Sequence, residues 1–572
     1  MPHPAPVSNA ASSLSTPRIP SNPWVVLVVL TFGFFMILLD TTIVNVAIPS
    51  IITALHASLD QILWVLNAYI LVYAILLIVS GRLGDMFGPR RMFMTGLVMF
   101  TLSSIACGLA QSSEQLILFR VIQGVGGAIL TPQSLSLITT LFPPEKRGAA
   151  FGVWGGMAGI AAVAGPTLGG FLTTTFSWRA IFYVNVPIGI IAVILAYLLM
   201  PELTIHRKHH LDVVGVLLAM SGLFAGVFGL IEGERYSWGR ISDLAAVDLG
   251  SLHLGLLSIP SILLASVVLL ALFLRWEASQ EEPLLPLSLF SDRNFSLANL
   301  VQTFVAFAML GLFLPLTIFF QSVLGFSAER AGIALAPMSL TMMFVAPFAG
   351  RLTDKVNGKW ILATGMTLYA IGMTLIVLVS SLSSTALSFT LPLVIAGIGM
   401  GCTFAPLTTL AMRDIGPTQA GAASGFLNTI RQVGGVMGST VVGAVLQNRL
   451  GAELHSQAVR YGAQLPVRFR GGFVAGFSRA SSSGLRVGRG QTGGSHLPAN
   501  LPAGMAHLLG SLGQQVFDHG FLNAMRPSLA IPIASMLLGA AIATLMRPTP
   551  AKVRQSAPEP EQSRSGVVAA GE

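Results

Sequence analysis

Runs of about twenty apolar residues recur along nearly the whole chain, each long enough for a helix to cross the ~30 Å hydrocarbon layer of a bilayer. Read between loop signals they number about fourteen. The first eight cover roughly 24–48, 61–80, 92–111, 116–140, 149–172, 180–200, 211–231 and 255–274. The remaining six cover roughly 298–321, 330–350, 360–381, 387–412, 420–446 and 525–546. Only 10% of the 572 residues are charged and 53% are hydrophobic, against ~25% charged in a soluble domain. A chain this poor in polar side chains cannot cover a water-facing surface. An all-α, polytopic membrane protein is expected.

The formal charge of +9 does not point to nucleic acid, because the basic residues sit mainly in short loops between spans. One set of loops holds Arg82, Arg90, Arg91, Lys146, Arg147, Arg207, Lys208, Arg275, Arg293, Arg351, Lys355, Lys359 and Arg413. The opposite set holds only Arg179, Arg235, Arg240 and Arg330. The positive-inside rule places the richer set in the cytoplasm, and an even number of spans places both termini there too. Trp24, Trp276 and Trp360 fall near inner edges and Trp64, Trp178 and Trp238 near outer ones, as in an aromatic belt. The Pro-, Ser- and Ala-rich residues 1–23 carry no clear cleavage site, so the first run reads as an uncleaved span. The two cysteines, Cys107 and Cys402, both lie in apolar runs, which argues against a structural disulfide or a metal cluster. His206, His209 and His210 sit beside Arg207 and Lys208 and read as a solvated basic linker. Residues 447–524 form a long loop rich in Arg, Gly and Ser, expected to be extracytoplasmic and by composition disordered. No Asn-x-Ser/Thr sequon falls in an outer loop, which favours a bacterial plasma membrane.

The chain repeats itself. Gly81-Arg82-Leu83-Gly84-Asp85 returns as Gly350-Arg351-Leu352-Thr353-Asp354, and Gly148-Ala149-Ala150-Phe151-Gly152 returns as Gly421-Ala422-Ala423-Ser424-Gly425. At the offset that carries Gly148 onto Gly421, Gly165-Pro166-Thr167 falls opposite Gly438-Ser439-Thr440. Three matches at nearly one offset indicate duplication of a six-span unit, with two extra spans between the copies. The expected layout is a tail (1–23), a first six-helix bundle (24–200), two additional helices with linkers (201–297), a second bundle including the 447–524 loop (298–546), and a tail (547–572).

Asp40 is the one carboxylate placed deep in a span. A charge at mid-bilayer costs about 2.5–3.5 kcal/mol on insertion scales, so such residues face a cavity and mark ion or substrate pathways. Arg120 lies near the outer end of the fourth span, at a depth comparable to Asp40; Leu393 stands in its place in the second copy. Asp85, set among Arg82, Arg90 and Arg91, has the composition of an ion-pair latch between Gly81, where helices approach, and the Gly88-Pro89 turn. The second copy carries Asp354, and Asn357 replaces the turn glycine, a residue that tolerates left-handed backbone. Gly165, Pro166, Gly169 and Gly170 fall on neighbouring helical positions suited to tight packing and a bend.

These motifs together resemble a known group. Gly81 to Arg91 resembles the signature loop of the major facilitators. Leu39-Asp40-Thr41-Thr42 through Pro49 resembles the first-span motif of the fourteen-span drug:proton antiporters of the QacA/EmrB type. Leu116 to Ala128, Gly165 to Gly170, and Trp178 to Gly189 match further motifs of that family in order. The resemblance implies a proton-coupled exporter of lipophilic, cationic or amphipathic compounds, working by alternating access and without a cofactor. It implies proton coupling through Asp40 and Arg120, a conformational latch at Gly81, Asp85, Gly88, Arg90, Arg91 and Asp354, and a leak-suppressing seal at Gly165, Pro166, Gly169 and Gly170. Asn45, Gln123 and Trp154 are the candidates for the substrate cavity. Expected partners are small lipophilic molecules, protons and membrane lipids, with a periplasmic adaptor left open and nucleic acid excluded. With Asp40 the lone deep carboxylate, and Glu232 and Glu234 expected to be exposed, neutral or monocationic substrates are favoured over dications. The alternatives are a transporter of one metabolite, a membrane-embedded enzyme, for which no nucleophile–base pair is found, and a sensor without transport.

Overall fold

The computed structural model describes residues 22–57, 59–201, 212–233, 235–236, 238–241, 246–249, 252–255, 257–482 and 503–547. Both tails, the linker with His206, His209 and His210, Glu234 and residues 483–502 lie outside the described residues.

The first half is α1 (Pro23–Leu55), α2 (Leu59–Phe87), α3 (Pro89–Leu109), α4 (Ser113–Leu141), α5 (Pro144–Thr175) and the pair α6 (Ala180–Tyr183) and α7 (Asn185–Leu199). Two further helices follow, α8 (Val213–Glu232) and α9 (Ile259–Glu277), and between them an antiparallel pair, β1 (Ala246–Leu249) and β2 (Leu252–Gly255). This small ribbon is the one departure from an all-helical chain among the described residues. The second half comprises α10 (Arg293–Ile318), α11 (Ala328–Thr353), α12 (Gly358–Val379), α13 (Thr390–Met412) and α14 (Ala420–Gly462), then α15 (Val467–Ser482), α16 (Ala503–Ser528) and α17 (Ala530–Thr544).

Helices dominate because lipid offers no partner to a backbone amide, so each must be satisfied within its own segment. Their starts are marked by side-chain caps: Asn22 accepts from Trp24 N, Ser112 from Gln115 N, Asp212 from Gly215 N and Asp292 from Phe295 N. Among the described residues, 13 helical segments are long and apolar enough to cross a membrane. α14 is not among them, yet it packs against α2, α4 and α10 as a full member of the bundle. Small residues let backbones meet: a Cβ on Gly96 would press on the Gly126 carbonyl oxygen at 2.9 Å, and one on Gly126 on Phe100 N at 2.7 Å.

The two halves are built alike. α1 packs on α5 and α10 on α14, while α5 meets α11 and α2 meets α14 across the interface. α8 pairs with α9 and lies on the α2–α14 seam, where Trp64 meets Phe228 and Thr440 Oγ1 donates to the Leu230 carbonyl at 3.3 Å. Glu232, expected to be exposed, is buried at the end of α8 and pairs with Arg235 at 3.4 Å.

The disorder expected of 447–524 is corrected for its described part. α14 runs on to Gly462, and α15 and α16 fold back on it, burying Leu450, Leu454, Leu465, Phe473, Phe477, Phe517 and Phe521. Asn523 Nδ2 donates to Glu453 Oε2 at 3.2 Å, and Tyr461 Oη lies 3.3 Å from His519 Nδ1. The arginines that suggested a solvated linker, Arg449, Arg460, Arg468 and Arg470, are exposed while leucines and phenylalanines face inward. Average composition hides such amphipathic separation.

Candidate functional site

Asp40 stands 17 residues into α1, roughly 26 Å along its axis at 1.5 Å per residue. Arg120 lies near the start of the antiparallel α4, so the two meet at one depth: Arg120 Nη1 is 2.5 Å from Asp40 Oδ2. Both are buried, at 0% and 1% exposure. The other carboxylate oxygen accepts from Gln123 Nε2 at 3.0 Å and Asn185 Nδ2 at 3.2 Å. Arg120 has further acceptors, donating through Nη1 to Gln123 Oε1 at 2.7 Å and through Nε to the Val65 carbonyl at 3.2 Å. Its guanidinium also covers the Tyr69 ring, 4.1 Å from the centroid. The pair expected from the sequence is therefore assembled, and Gln123, expected in a cavity, belongs to it.

Asn185 was not singled out in the sequence, although it stands in the Trp178–Gly189 motif. The break between α6 and α7 delivers it: Pro187 has no N–H for the Tyr183 carbonyl, so the helix restarts at Asn185 and turns that amide toward α1. Asn185 Nδ2 also reaches Ser104 Oγ at 3.2 Å, which donates to the Phe182 carbonyl at 2.9 Å. Ser104 and Cys107 thus tie α3 into the same buried cluster, with Cys107 Sγ 3.7 Å from Gln123 Oε1. A serine, a cysteine and an asparagine in apolar runs carry no individual signal. Only packing reveals them.

The latch has different partners from those expected. Asp85 does not draw on the arginines of its loop for hydrogen bonds; its two oxygens accept from the backbone N–H groups of Gly421 at 2.9 Å and Ala422 at 3.0 Å, the first turn of α14. Asp354 does the same in mirror image, accepting from Gly148 at 2.9 Å and Ala149 at 3.0 Å at the start of α5. A carboxylate on the exposed N–H groups of a helix start also meets the positive end of its dipole. Each clasp joins the two halves. A Cβ at Gly81 would collide with the Gly421 carbonyl oxygen, and one at Gly350 with that of Gly148, which explains glycine at all four positions. Arg90 instead donates to the Tyr197 carbonyl at 2.8 Å within the first half, and Arg91 is exposed. Gly88 adopts φ 92°, which only glycine takes without strain. Asn357 does not repeat this: at φ −67° it is an ordinary helix cap, so its left-handed tolerance is unused. Arg147, read only as a basic loop residue, is a third cross-half tie, donating to the Met412 and Arg413 carbonyls at 3.3 and 3.1 Å.

Beyond the clasps, contacts between α5 and α11 continue through Gly152, Gly156 and Gly159. From Gly165 onward, the glycines of α5 turn to α1 instead. Gly165 sits against Thr42 and Gly169 against Ile43, two or three residues from Asp40, and Thr42 Oγ1 reaches the Ala161 carbonyl at 3.3 Å. A Cβ added at Gly170 would meet nothing within 4 Å, so that position makes no close helix crossing of the kind seen at Gly165 and Gly169. The backbone of α5 stays helical through Pro166, whose side chain lies outside the described residues. Of the cavity candidates, Asn45 is exposed and bonds its own helix at the Thr41 carbonyl, 3.0 Å away. Trp154 is buried and stacks on Phe34 at 3.8 Å. A hollow of about 580 Å³ lined by Arg82, Glu277, Glu281 and Gln419 lies at the clasp end, away from both.

A duplicated helical bundle with mirrored clasps and an ion pair in one half defines a facilitator-type transporter. Residues 30–439 match the Major Facilitator Superfamily, and the chain belongs to it. Along 433 residues it is 33% identical to the tetracenomycin C resistance and export protein of Streptomyces glaucescens, covering 75% of this chain and 77% of that one. It is 31% identical over 421 residues to the multidrug export protein EmrB of Haemophilus influenzae, covering 73% and 80%. The fold is shared with the solved proton:xylose symporter XylE, at a TM-score of 0.51 and 14% identity, over 92% of this chain and 97% of that one. The protein is a multi-pass membrane transporter of the drug:proton antiporter kind.

Proposed function

We propose that the protein exports lipophilic and amphipathic drug-like compounds in exchange for protons, by alternating access, in a bacterial plasma membrane with both termini inside. The observation that carries this is the buried Asp40–Arg120 pair, whose arginine already holds two alternative acceptors, Gln123 Oε1 and the Val65 carbonyl. Protonating Asp40 removes the charge that Arg120 balances. Arg120 keeps those acceptors and the Tyr69 face for its N–H groups, but its charge is left uncompensated, which would favour a rearrangement of the site. α1 is thereby loosened from α4 at the level where it rests on Gly165 and Gly169 of α5. A change of charge becomes a change in how α1 packs, and the halves rock. The positive-inside rule would make the end held by the Asp85 and Asp354 clasps the cytoplasmic one. A proton would enter from outside as substrate leaves, and depart inside as substrate binds. No cofactor is needed beyond the gradient.

The test is efflux of a neutral lipophilic dye in inside-out vesicles with an imposed pH gradient. Uptake driven by an acid lumen is expected. Dye movement indifferent to the gradient sinks the reading in favour of a facilitator.

A further inference from the structure

Arg431 stands in the first third of the 43-residue α14, and nothing in the proton-coupling cluster uses it. It lies 11 residues beyond Ala420, roughly 16 Å from the clasp end. Phe34 stands 11 residues beyond Pro23 in α1, and Trp154 ten beyond Pro144 in α5, so all three share one depth. They also touch: the Arg431 guanidinium lies 5.9 Å from the Phe34 ring centroid, and Phe34 stacks on Trp154 at 3.8 Å. The first two belong to opposite halves, so the group bridges the interface along which the halves must rock.

Its charge is unbalanced. Among the described residues Arg431 has no carboxylate within ion-pair distance. The one deep carboxylate, Asp40, is six residues further along α1, roughly 9 Å, and is occupied by Arg120. Trp154 adds a second donor without an acceptor, since its buried indole N–H has no hydrogen-bond partner. Around one phenyl ring, then, stand a cation and a free N–H, with no anion to match. The repeat gives the same message: the position that duplicates Arg431 in the first half is Ala158, so the charge is an addition to the shared scaffold. A half-buried arginine inside a membrane is costly unless something balances it.

We infer that Arg431, with Phe34 and Trp154, forms the substrate subsite, and that it selects planar aromatic compounds bearing a carboxylate or an ionised phenol. Phe34 and Trp154 are buried against one another in this structure, so the ligand ring would insert beside them as the halves part, while the anion meets Arg431 and the indole N–H. This narrows the export reading above and rests on it. It also replaces the expectation of cationic cargo, whose premise was an Asp40 free to serve as counter-charge.

The experiment is equilibrium binding to the purified full chain, without any gradient, of three anthracene probes: the 9-carboxylate, its methyl ester and a 9-(trimethylammonio)methyl analogue. The wild type should bind the carboxylate at least roughly tenfold more tightly than the ester, as one charge-assisted hydrogen bond provides, and the cation most weakly. In Arg431→Gln that ratio should fall toward one, and in Arg431→Lys it should persist, which separates charge from folding. Carboxylate binding no better than ester in the wild type, or a ratio untouched in Arg431→Gln, overturns the assignment. Because binding is read at equilibrium, it stands apart from gradient-driven transport. Ester uptake driven by the pH gradient without carboxylate preference leaves the exporter and removes the subsite. Carboxylate preference with no gradient response does the reverse.

Discussion

At the clasp end the two halves are near copies; at mid-membrane depth they are not. Asp85 on the start of α14 and Asp354 on the start of α5 each accept from two successive backbone N–H groups, with glycines opposed at each crossing. Deeper in, the first half buries Asp40 against Arg120, where the second has Leu393, fully buried and apolar. The second half carries Arg431, where the first has Ala158. The duplicated surfaces are thus the contacts between the halves, and the unduplicated charges are where a difference in chemistry would arise. On the reading proposed above, one half would hold the proton switch and the other would supply the charge that meets cargo.

The largest effect should come from breaking the asymmetric pair. Arg120→Gln leaves Asp40 buried without its counter-charge, which should cost about 3–5 kcal/mol and lower the unfolding midpoint in detergent. Adding Asp40→Asn to the same protein should recover most of that loss while leaving gradient-driven export off. A double variant no more stable than the single one contradicts the pairing.

Next come the clasps, where the comparison predicts equality. Asp85→Asn and Asp354→Asn each weaken two hydrogen bonds to a charged group, worth about 1.5–3 kcal/mol apiece. Each should shift the population toward an open clasp end by a similar amount, read from label-to-label distances between the α2–α3 and α11–α12 turns. A large effect from one and none from the other would end the symmetry.

The smallest contrast lies along α5. Gly165→Ala drives a methyl into Thr42 beside the coupling site and should cost about 1–3 kcal/mol with loss of coupling. Gly170→Ala meets nothing and should stabilise the helix by about 0.5–1 kcal/mol with export intact. Melting curves and vesicle uptake on both variants distinguish them.

The span pattern, the duplication and the Asp40–Arg120 meeting were legible because each rests on periodicity or on a charge too costly to be idle. The clasp partners were not. A backbone N–H has no letter in the sequence, so Gly421 and Ala422 advertise small size and not their role as donors to Asp85. Asn185 was hidden because its function depends on the break before Pro187. Arg147 was hidden among loop cations that obey the positive-inside rule without any specific partner. The amphipathic helices after Leu446 were missed because their arginines dominate an average that ignores faces.

Proton-driven cycling, as proposed here, turns on a proton at Asp40. It is tested most directly by uptake of a neutral lipophilic dye into inside-out vesicles, wild type against Asp40→Asn at matched expression, across a series of imposed pH gradients. Wild-type uptake should rise with the gradient, while the asparagine variant should still exchange dye across a dye gradient alone and give a flat response to pH. A gradient response in Asp40→Asn equal to that of the wild type would contradict it.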